Sequence, residues 1–107
     1  YLKMTELRSQ LAELKELLRK GGEHVLVEQI GEALGGSDDV LSTYLVSNEL
    51  WGGAGSIADQ ALIDHESMRR QLEELMIRIG KTQMSMQLKN VRTEMWIEAF
   101  ESWQKSR

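Results

Sequence analysis

The chain has 107 residues, a formal net charge of −4, no cysteine and no proline. This length predicts one domain over residues 1–107, near the size at which dimerisation often supplements a small core. The lack of cysteine excludes a disulfide framework and a thiolate site, and it favours a reducing, cytoplasmic location. The apolar runs are far shorter than the roughly 20 residues of a membrane-spanning helix, so we expect no membrane partner.

Helix-favouring residues dominate the composition, and in the absence of proline they predict an all-α fold. The first helix is expected over residues 5–20, where one apolar stripe contains Leu7, Leu11, Leu14 and Leu18. Its end is predicted at Gly21 and Gly22. Residues 1–3, which precede Met4, are either a cloning remnant or the first turn of a longer helix.

Two short helices are predicted next. The second helix, over residues 23–34, ends at a glycine pair. The side chains expected to face the core are Leu26, Val27, Ile30, Ala33 and Leu34. The third begins at Ser37, whose hydroxyl can cap a helix that has Asp38 and Asp39 in its first turn. Its apolar face is expected to contain Val40, Leu41, Tyr44 and Leu45.

A glycine-rich turn follows the third helix. It contains three glycines, Gly52, Gly53 and Gly55. Glycine can adopt backbone angles that are closed to other residues, and we expect at least one of the three to hold a positive φ. Ser56 begins the next helix, with Asp59 in its first turn. The turn is interpreted first as a structural element that folds Trp51 under the new helix, and a surface loop that recognises a partner is a further interpretation.

A ligand-binding loop is the alternative interpretation of the same segment, because the free N–H groups at a helix start attract anions. Against it, no lysine stands where a phosphate-binding loop needs one, no strand precedes the turn, and Asp59 adds negative charge. The residues assigned to this hypothetical binding site are Asn48, Trp51, Gly52, Gly53, Gly55, Ser56 and Asp59.

A long C-terminal helix is predicted over residues 67–90, packed on the N-terminal helix and the short central helices of a small bundle. Its apolar residues recur every three or four positions: Leu72, Met76, Gly80, Met84, Leu88, Val91, Met95 and Ala99. A kink or short turn is expected at residues 90–93, where Thr93 can cap a final helix. That helix carries an aromatic stripe that predicts either core or a dimer or partner interface: Trp96, Phe100 and Trp103.

The middle of the chain is strongly acidic. Residues 21–66 contain nine carboxylates and neither lysine nor arginine, whereas both flanks carry more bases than acids. Two interpretations follow: the acids are solvated or balanced by the basic flanks, or they form a face for a basic protein partner. Nucleic acid is not expected as a partner, because phosphate contacts need clustered lysine and arginine.

No catalytic constellation is recognisable in the sequence. A carboxylate and histidine site of a hydrolase or metal enzyme can be drawn around Asp59, Asp64 and His65. However, neighbouring residues project from different sides of a helix, and no His-x-x-x-His or Glu-x-x-His pair places two metal ligands together. We therefore assign no catalytic residue, no metal and no cofactor, and we expect a non-enzymatic protein.

Two segments stand apart from the helical pattern. They read Asn48-x-Leu50-Trp51-Gly52-Gly53-x-Gly55-Ser56-Ile57-Ala58-Asp59 and Asn90-x-Arg92-Thr93, the latter followed by Trp96. Together they resemble a family of small uncharacterised bacterial all-helical proteins. The resemblance implies a bacterial, cytoplasmic origin and a helical shape, and it implies no activity.

The sequence thus predicts a protein–protein interaction module. Its most concrete form is an acidic inhibitor or adaptor that acts on a basic protein partner, and a homodimer is a further expectation. The alternative is a small-ligand or anion-binding domain that uses the Gly52–Ser56 loop.

Overall fold

The computed structural model describes residues 2–106 and confirms the all-α fold. This part of the chain has no strand and seven helices: α1 (Leu2–Lys20), α2 (His24–Gly35), α3 (Asp38–Val46), α4 (Asn48–Trp51), α5 (Ile57–Gln60), α6 (Glu66–Ser85) and α7 (Thr93–Lys105). None of these helices combines the length and the apolar character needed to cross a membrane.

The first helix supplies the central apolar face of the bundle. It begins at Leu2, ahead of the predicted start at residue 5, so residues 2 and 3 belong to its first turn, and residue 1 lies outside the described residues. The predicted stripe is fully buried: Leu7, Leu11, Leu14 and Leu18. Each such leucine contributes about 1.5–3 kcal/mol by leaving water. Because α1 packs against both α2 and α6, this one stripe holds two helices.

The corner between α2 and α3 is fixed by α1. Arg8 Nη1 donates to the backbone oxygen of Leu34 at 2.9 Å, and Arg8 Nη2 donates to Asp38 Oδ1 at 2.7 Å. Ser37 caps α3 as predicted, since its hydroxyl oxygen accepts the N–H of Val40 at 3.3 Å. The prediction that Val40 faces the core is wrong. Its side chain is 51% exposed, because Leu41 sets the buried face and adjacent residues point about 100° apart.

The predicted continuous helix over residues 67–90 is also wrong. The α6 helix ends at Ser85, and the chain turns through residues 86–92, earlier and over a longer stretch than the predicted kink. The Gln83 side-chain amide donates to the backbone oxygen of Leu88 at 2.8 Å, which closes the turn. The apolar spacing continues through this turn without a helix to support it, and Val91 is consequently 93% exposed.

After the turn, α7 folds back against α6, and α6 itself packs on α1. Gly80 makes the close approach feasible, because a Cβ there would lie 2.5 Å from Ile97 Cδ1 and 3.1 Å from Trp51 Cη2. Ile97 and Phe100 of α7 are buried in this contact. The packing of the C-terminal region on the N-terminal helix is therefore confirmed, and it proceeds through α6.

Candidate functional site

The glycine turn between α4 and α5 is stabilised by its own polar groups. Gly55 has a φ of +87°, which confirms the predicted positive φ at one of the three glycines. Its N–H donates to Asp59 Oδ2 at 3.1 Å, and the Asp59 N–H donates to Ser56 Oγ at 3.2 Å. The Gly55 N–H, helped by the Gln60 amide, holds the pKa of Asp59 below its ordinary value. An ionised carboxylate therefore occupies the position that an anion would take.

Trp51 lies beneath this turn. Its side chain is fully buried, and its indole N–H donates to Gln83 Oε1 at 2.9 Å. The Gly52 N–H donates to the backbone oxygen of Asn48 at 3.1 Å, and Gly52 and Ser56 are buried as well. The hypothesis that Trp51 walls a ligand site is thus corrected: the ring belongs to the core. These contacts support the structural interpretation of the turn.

Two buried side-chain amides connect this segment to the α6–α7 turn. Gln83 Nε2 donates to the backbone oxygen of Leu45 at 3.1 Å. Asn90 Nδ2 donates to the backbone oxygen of Val46 at 2.9 Å and to Asn48 Oδ1 at 3.1 Å. Asn48, predicted to orient a ligand, instead orients Asn90. The sequence does not indicate these contacts, because the partners in α3 lie about 40 residues away.

Arg69 is a buried charged centre that the sequence motifs do not mark. Its Nη1 donates to the backbone oxygen of Ala61 at 2.8 Å, and its Nη2 donates to that of Ala58. Its Nε lies 3.5 Å from Glu73 Oε2, and its guanidinium carbon lies 5.5 Å from the ring centre of Phe100. The four-residue spacing predicts the ion pair, but only the tertiary fold buries it. Arg69 thus fixes the C-terminal end of α5 against α6 and α7.

A surface groove of about 450 Å³ lies beside Arg69. Its lining comes from α5, the α5–α6 connection, α6 and α7, and comprises Asp59, Ile63, Glu66, Arg69, Glu73, Trp96 and Trp103. We call it the tryptophan groove. The ring centres of Trp96 and Trp103 are 6.5 Å apart with their planes at 76°, and Trp103 is 43% exposed. Three carboxylates and one guanidinium give the lining a formal excess of negative charge.

The carboxylates of residues 21–66, which we call the acidic stretch, meet few bases within the described chain. The ion pairs that reach this stretch join Arg8 to Asp38 at 2.7 Å and Arg70 to Glu66 at 3.8 Å. In the other ion pairs between described residues, both the acid and the base belong to the flanks, either to the same flank or to one flank each. The basic flanks therefore do not balance most of the acidic stretch.

A second surface depression, which we call the α2–α3 groove, lies within the acidic stretch. Its volume is about 350 Å³, and it is lined by Gln29, Glu32, Ala33, Val40, Thr43, Tyr44, Ser47 and Glu49. The Tyr44 hydroxyl and Gln29 Oε1 are buried there without a hydrogen-bond partner among the described residues. Burial, together with the charge of Glu49, raises the pKa of Tyr44, so its phenol stays protonated.

The fold brings together residues that the sequence assigned to separate sites. Asp59, predicted in the loop site, and Trp96 and Trp103, predicted in an interface, line the same tryptophan groove. Phe100, predicted in that interface, is fully buried and belongs to the core. His65 is exposed, and the described residues contain no group of three or more histidine and carboxylate side chains that could hold a metal ion.

Comparisons with protein-family models, with curated proteins and with solved structures found no match to this chain.

Proposed function

We propose that this protein is a non-enzymatic interaction module that binds a basic protein partner through the acidic stretch. The observation that carries the proposal is the distribution of ion pairs. The ion pairs found between this stretch and the basic residues of the described chain involve Asp38 and Glu66. Asp59 is engaged by the Gly55 N–H and the Gln60 amide. The other carboxylates of the stretch can steer a basic protein into contact through their charge.

Exposed apolar side chains among these acids support the proposal. Ile63 is 55% exposed beside the tryptophan groove, and Val40 lies exposed in the α2–α3 groove. Val25 on α2 is exposed as well. Apolar contacts supply affinity while surrounding charges supply orientation and association rate, so this surface suits a segment with both basic and apolar residues.

Anion or small-ligand binding at the Gly52–Ser56 loop stays the second proposal. The Gly55 N–H already donates to Asp59, and α5 has only four residues. A bound anion would have to displace the Asp59 carboxylate, which disfavours this role relative to protein binding.

Charge reversal tests the main proposal. The double variant Glu32→Lys, Glu49→Lys changes two exposed carboxylates of the α2–α3 groove. The matched control, Glu74→Lys with Glu98→Lys, makes the same change in net charge on exposed positions of the basic flank. Proteins captured from the native cell by each tagged variant are identified and quantified by mass spectrometry, and the captured partner is then purified for direct binding measurements.

We expect the first double variant to lose a basic partner that the wild type and the control retain. The binding constant for the purified partner should weaken roughly tenfold, mostly through slower association. A partner that binds all three proteins equally would contradict the assignment to the acidic stretch. An acidic partner would contradict the charge argument itself.

Self-association is a separate proposal. Because α7 covers α6 within one chain, the apolar surface left for a twin is reduced to side chains such as Val91, Met95 and Trp103. Sedimentation equilibrium at micromolar concentration tests it. A mass of 24 kDa, twice the chain mass of 12.2 kDa, would support a homodimer, and a mass of 12.2 kDa would exclude one under those conditions.

A further inference from the structure

We propose that the tryptophan groove receives a side-chain cation, the ammonium of lysine or the guanidinium of arginine, from the basic partner. This inference rests on the proposed function, because it names the chemistry by which the partner is recognised. It also adds a second surface, since the tryptophan groove and the α2–α3 groove share no lining residue.

The two indole rings provide the first part of such a site. Trp96 and Trp103 lie nearly perpendicular, 6.5 Å between ring centres, and both line the groove. The position of Trp96 is fixed, since its Nε1 donates to the backbone oxygen of Trp51 at 3.1 Å. Tryptophan attracts a cation more strongly than the other aromatic residues, and the attraction grows where water is partly excluded.

Carboxylates provide the second part. Asp59, Glu66 and Glu73 line the same groove. Asp59 keeps a lowered pKa, so it is ionised at neutral pH, and the Glu66 side chain is largely exposed with only a 3.8 Å contact to Arg70. A cation that rests on the exposed Trp103 indole therefore lies in a groove whose lining also carries these carboxylates. These carboxylates would repel an anion, and a neutral apolar group would remove them from water without supplying an opposite charge.

The one base in the groove is engaged by the protein itself. Arg69 is buried, donates to backbone oxygens at the end of α5, lies beside Glu73 and faces the ring of Phe100. Glu73 offsets its charge, and Arg69 also acts on Asp59 and helps to keep the pKa of that carboxyl low. The lining carries three carboxylates against one guanidinium, so its formal charge stays negative and favours a second cation.

Indole N–H signals in a two-dimensional nitrogen–proton NMR spectrum test the inference. The probes are N-acetyl-lysine methylamide, N-acetyl-arginine methylamide and the neutral N-acetyl-norleucine methylamide. We expect both cationic probes to shift the Trp96 and Trp103 signals in a saturable way and to leave the buried Trp51 signal unchanged. Norleucine should bind at least about tenfold more weakly than lysine.

Variants assign the site. Trp103→Leu keeps an apolar side chain and removes the indole, so the cationic probes should bind about tenfold more weakly. Glu66→Gln should weaken them about threefold, because it removes one exposed charge. The control Glu98→Gln removes a carboxylate of α7 that does not line the groove, and it should bind as the wild type does. Unfolding of any variant is excluded by its dispersed spectrum.

Equal binding of norleucine and lysine would overturn the inference, and so would unchanged cation binding in Trp103→Leu. If the Trp96 and Trp103 signals do not shift at the highest concentration of the cationic probes, the inference is overturned as well. These outcomes are separable from failure of the proposed function. A partner that depends on Glu32 and Glu49 but ignores Trp103 would preserve the proposed function and remove this site.

Discussion

Gly52→Ala is expected to be the most damaging single substitution in the glycine turn. A Cβ at this position would lie 2.5 Å from the backbone oxygen of Asn48 and 2.8 Å from Asn48 Cα, so the α4 backbone must move. Overpacking of this kind costs about 1–3 kcal/mol. The movement also disturbs the adjacent hydrogen bond from Trp51 to Gln83, which contributes about 1 kcal/mol. We expect a total loss of about 2–4 kcal/mol in the free energy of unfolding.

The neighbouring glycines serve as matched controls. Gly55→Ala places a Cβ on a residue with a φ of +87°, which costs about 1–2 kcal/mol. Gly53 lacks a positive φ, and a Cβ there would have no atom within 4 Å. Gly53→Ala should therefore change stability by less than about 0.5 kcal/mol.

Urea unfolding of the three variants, followed by tryptophan fluorescence and circular dichroism, gives these free energies. Thermal melts provide a second readout, since 1 kcal/mol corresponds to about 4–8 °C in a domain of this size. Gly52→Ala should therefore melt at least about 8 °C below the wild type. Equal stability of Gly52→Ala and Gly53→Ala would refute the conclusion that the turn is a close-packed structural element.

Three further predictions concern the polar contacts of Arg69, Gln83 and Asp59. Arg69→Met removes the cation beside the buried Glu73 carboxylate and should lower the free energy of unfolding by about 3–5 kcal/mol. Adding Glu73→Leu should recover part of this loss. Additive losses in a double-mutant cycle measured by urea unfolding would contradict the coupling. Gln83→Leu deprives the Trp51 indole N–H of its acceptor and should cost about 2–3 kcal/mol by urea unfolding, whereas a loss below about 0.5 kcal/mol would show that another group replaces it. The folded-state pKa of Asp59 is lowered, so the ionised carboxylate stabilises the fold at neutral pH, and this stabilisation is lost as pH falls through that pKa. Asp59→Asn should therefore show a smaller drop in Tm between neutral and acid pH than the wild type. Parallel profiles of Tm against pH for the two proteins would contradict this.

Features that depend on neighbouring residues could be predicted from the sequence. Ser37 and Ser56 cap their helices as expected, because the side-chain oxygen and the N–H that it accepts are three residues apart. The buried stripe of α1 follows from regular leucine spacing alone. The positive φ within the glycine turn is likewise a local property, although the sequence does not indicate which glycine holds it.

The end of α6 could not be predicted in the same way. Residues 86–92 preserve the apolar spacing of a helix, so periodicity extends the helix through the turn. Local hydrogen bonds close the turn, from Gln83 Nε2 to the backbone oxygen of Leu88 and from the Leu88 N–H to the backbone oxygen of Gln83. Tertiary hydrogen bonds from Gln83 and Asn90 hold it against the α3–α4 region. The spacing of residues in the sequence does not indicate contacts between positions so far apart.

The candidate site was predicted in pieces. The aromatic stripe predicted Trp96, Phe100 and Trp103 as either core or interface residues, and capping chemistry identified Asp59. Their meeting in one groove depends on Arg69, which holds α5 against α6 and α7 through backbone contacts that no motif encodes. Ile63 was missed because it follows Leu62, whose φ of +56° redirects the chain after α5.

The most direct test of the central claim is the salt dependence of binding between the purified partner and this protein. Isothermal titration at about 50 mM and about 300 mM salt compares the wild type, Glu32→Lys with Glu49→Lys, and Glu74→Lys with Glu98→Lys. If the acidic stretch receives a basic partner, wild-type affinity falls with salt, and the first double variant binds more weakly and with less salt dependence. Equal affinities and equal salt dependence in all three proteins would contradict the claim.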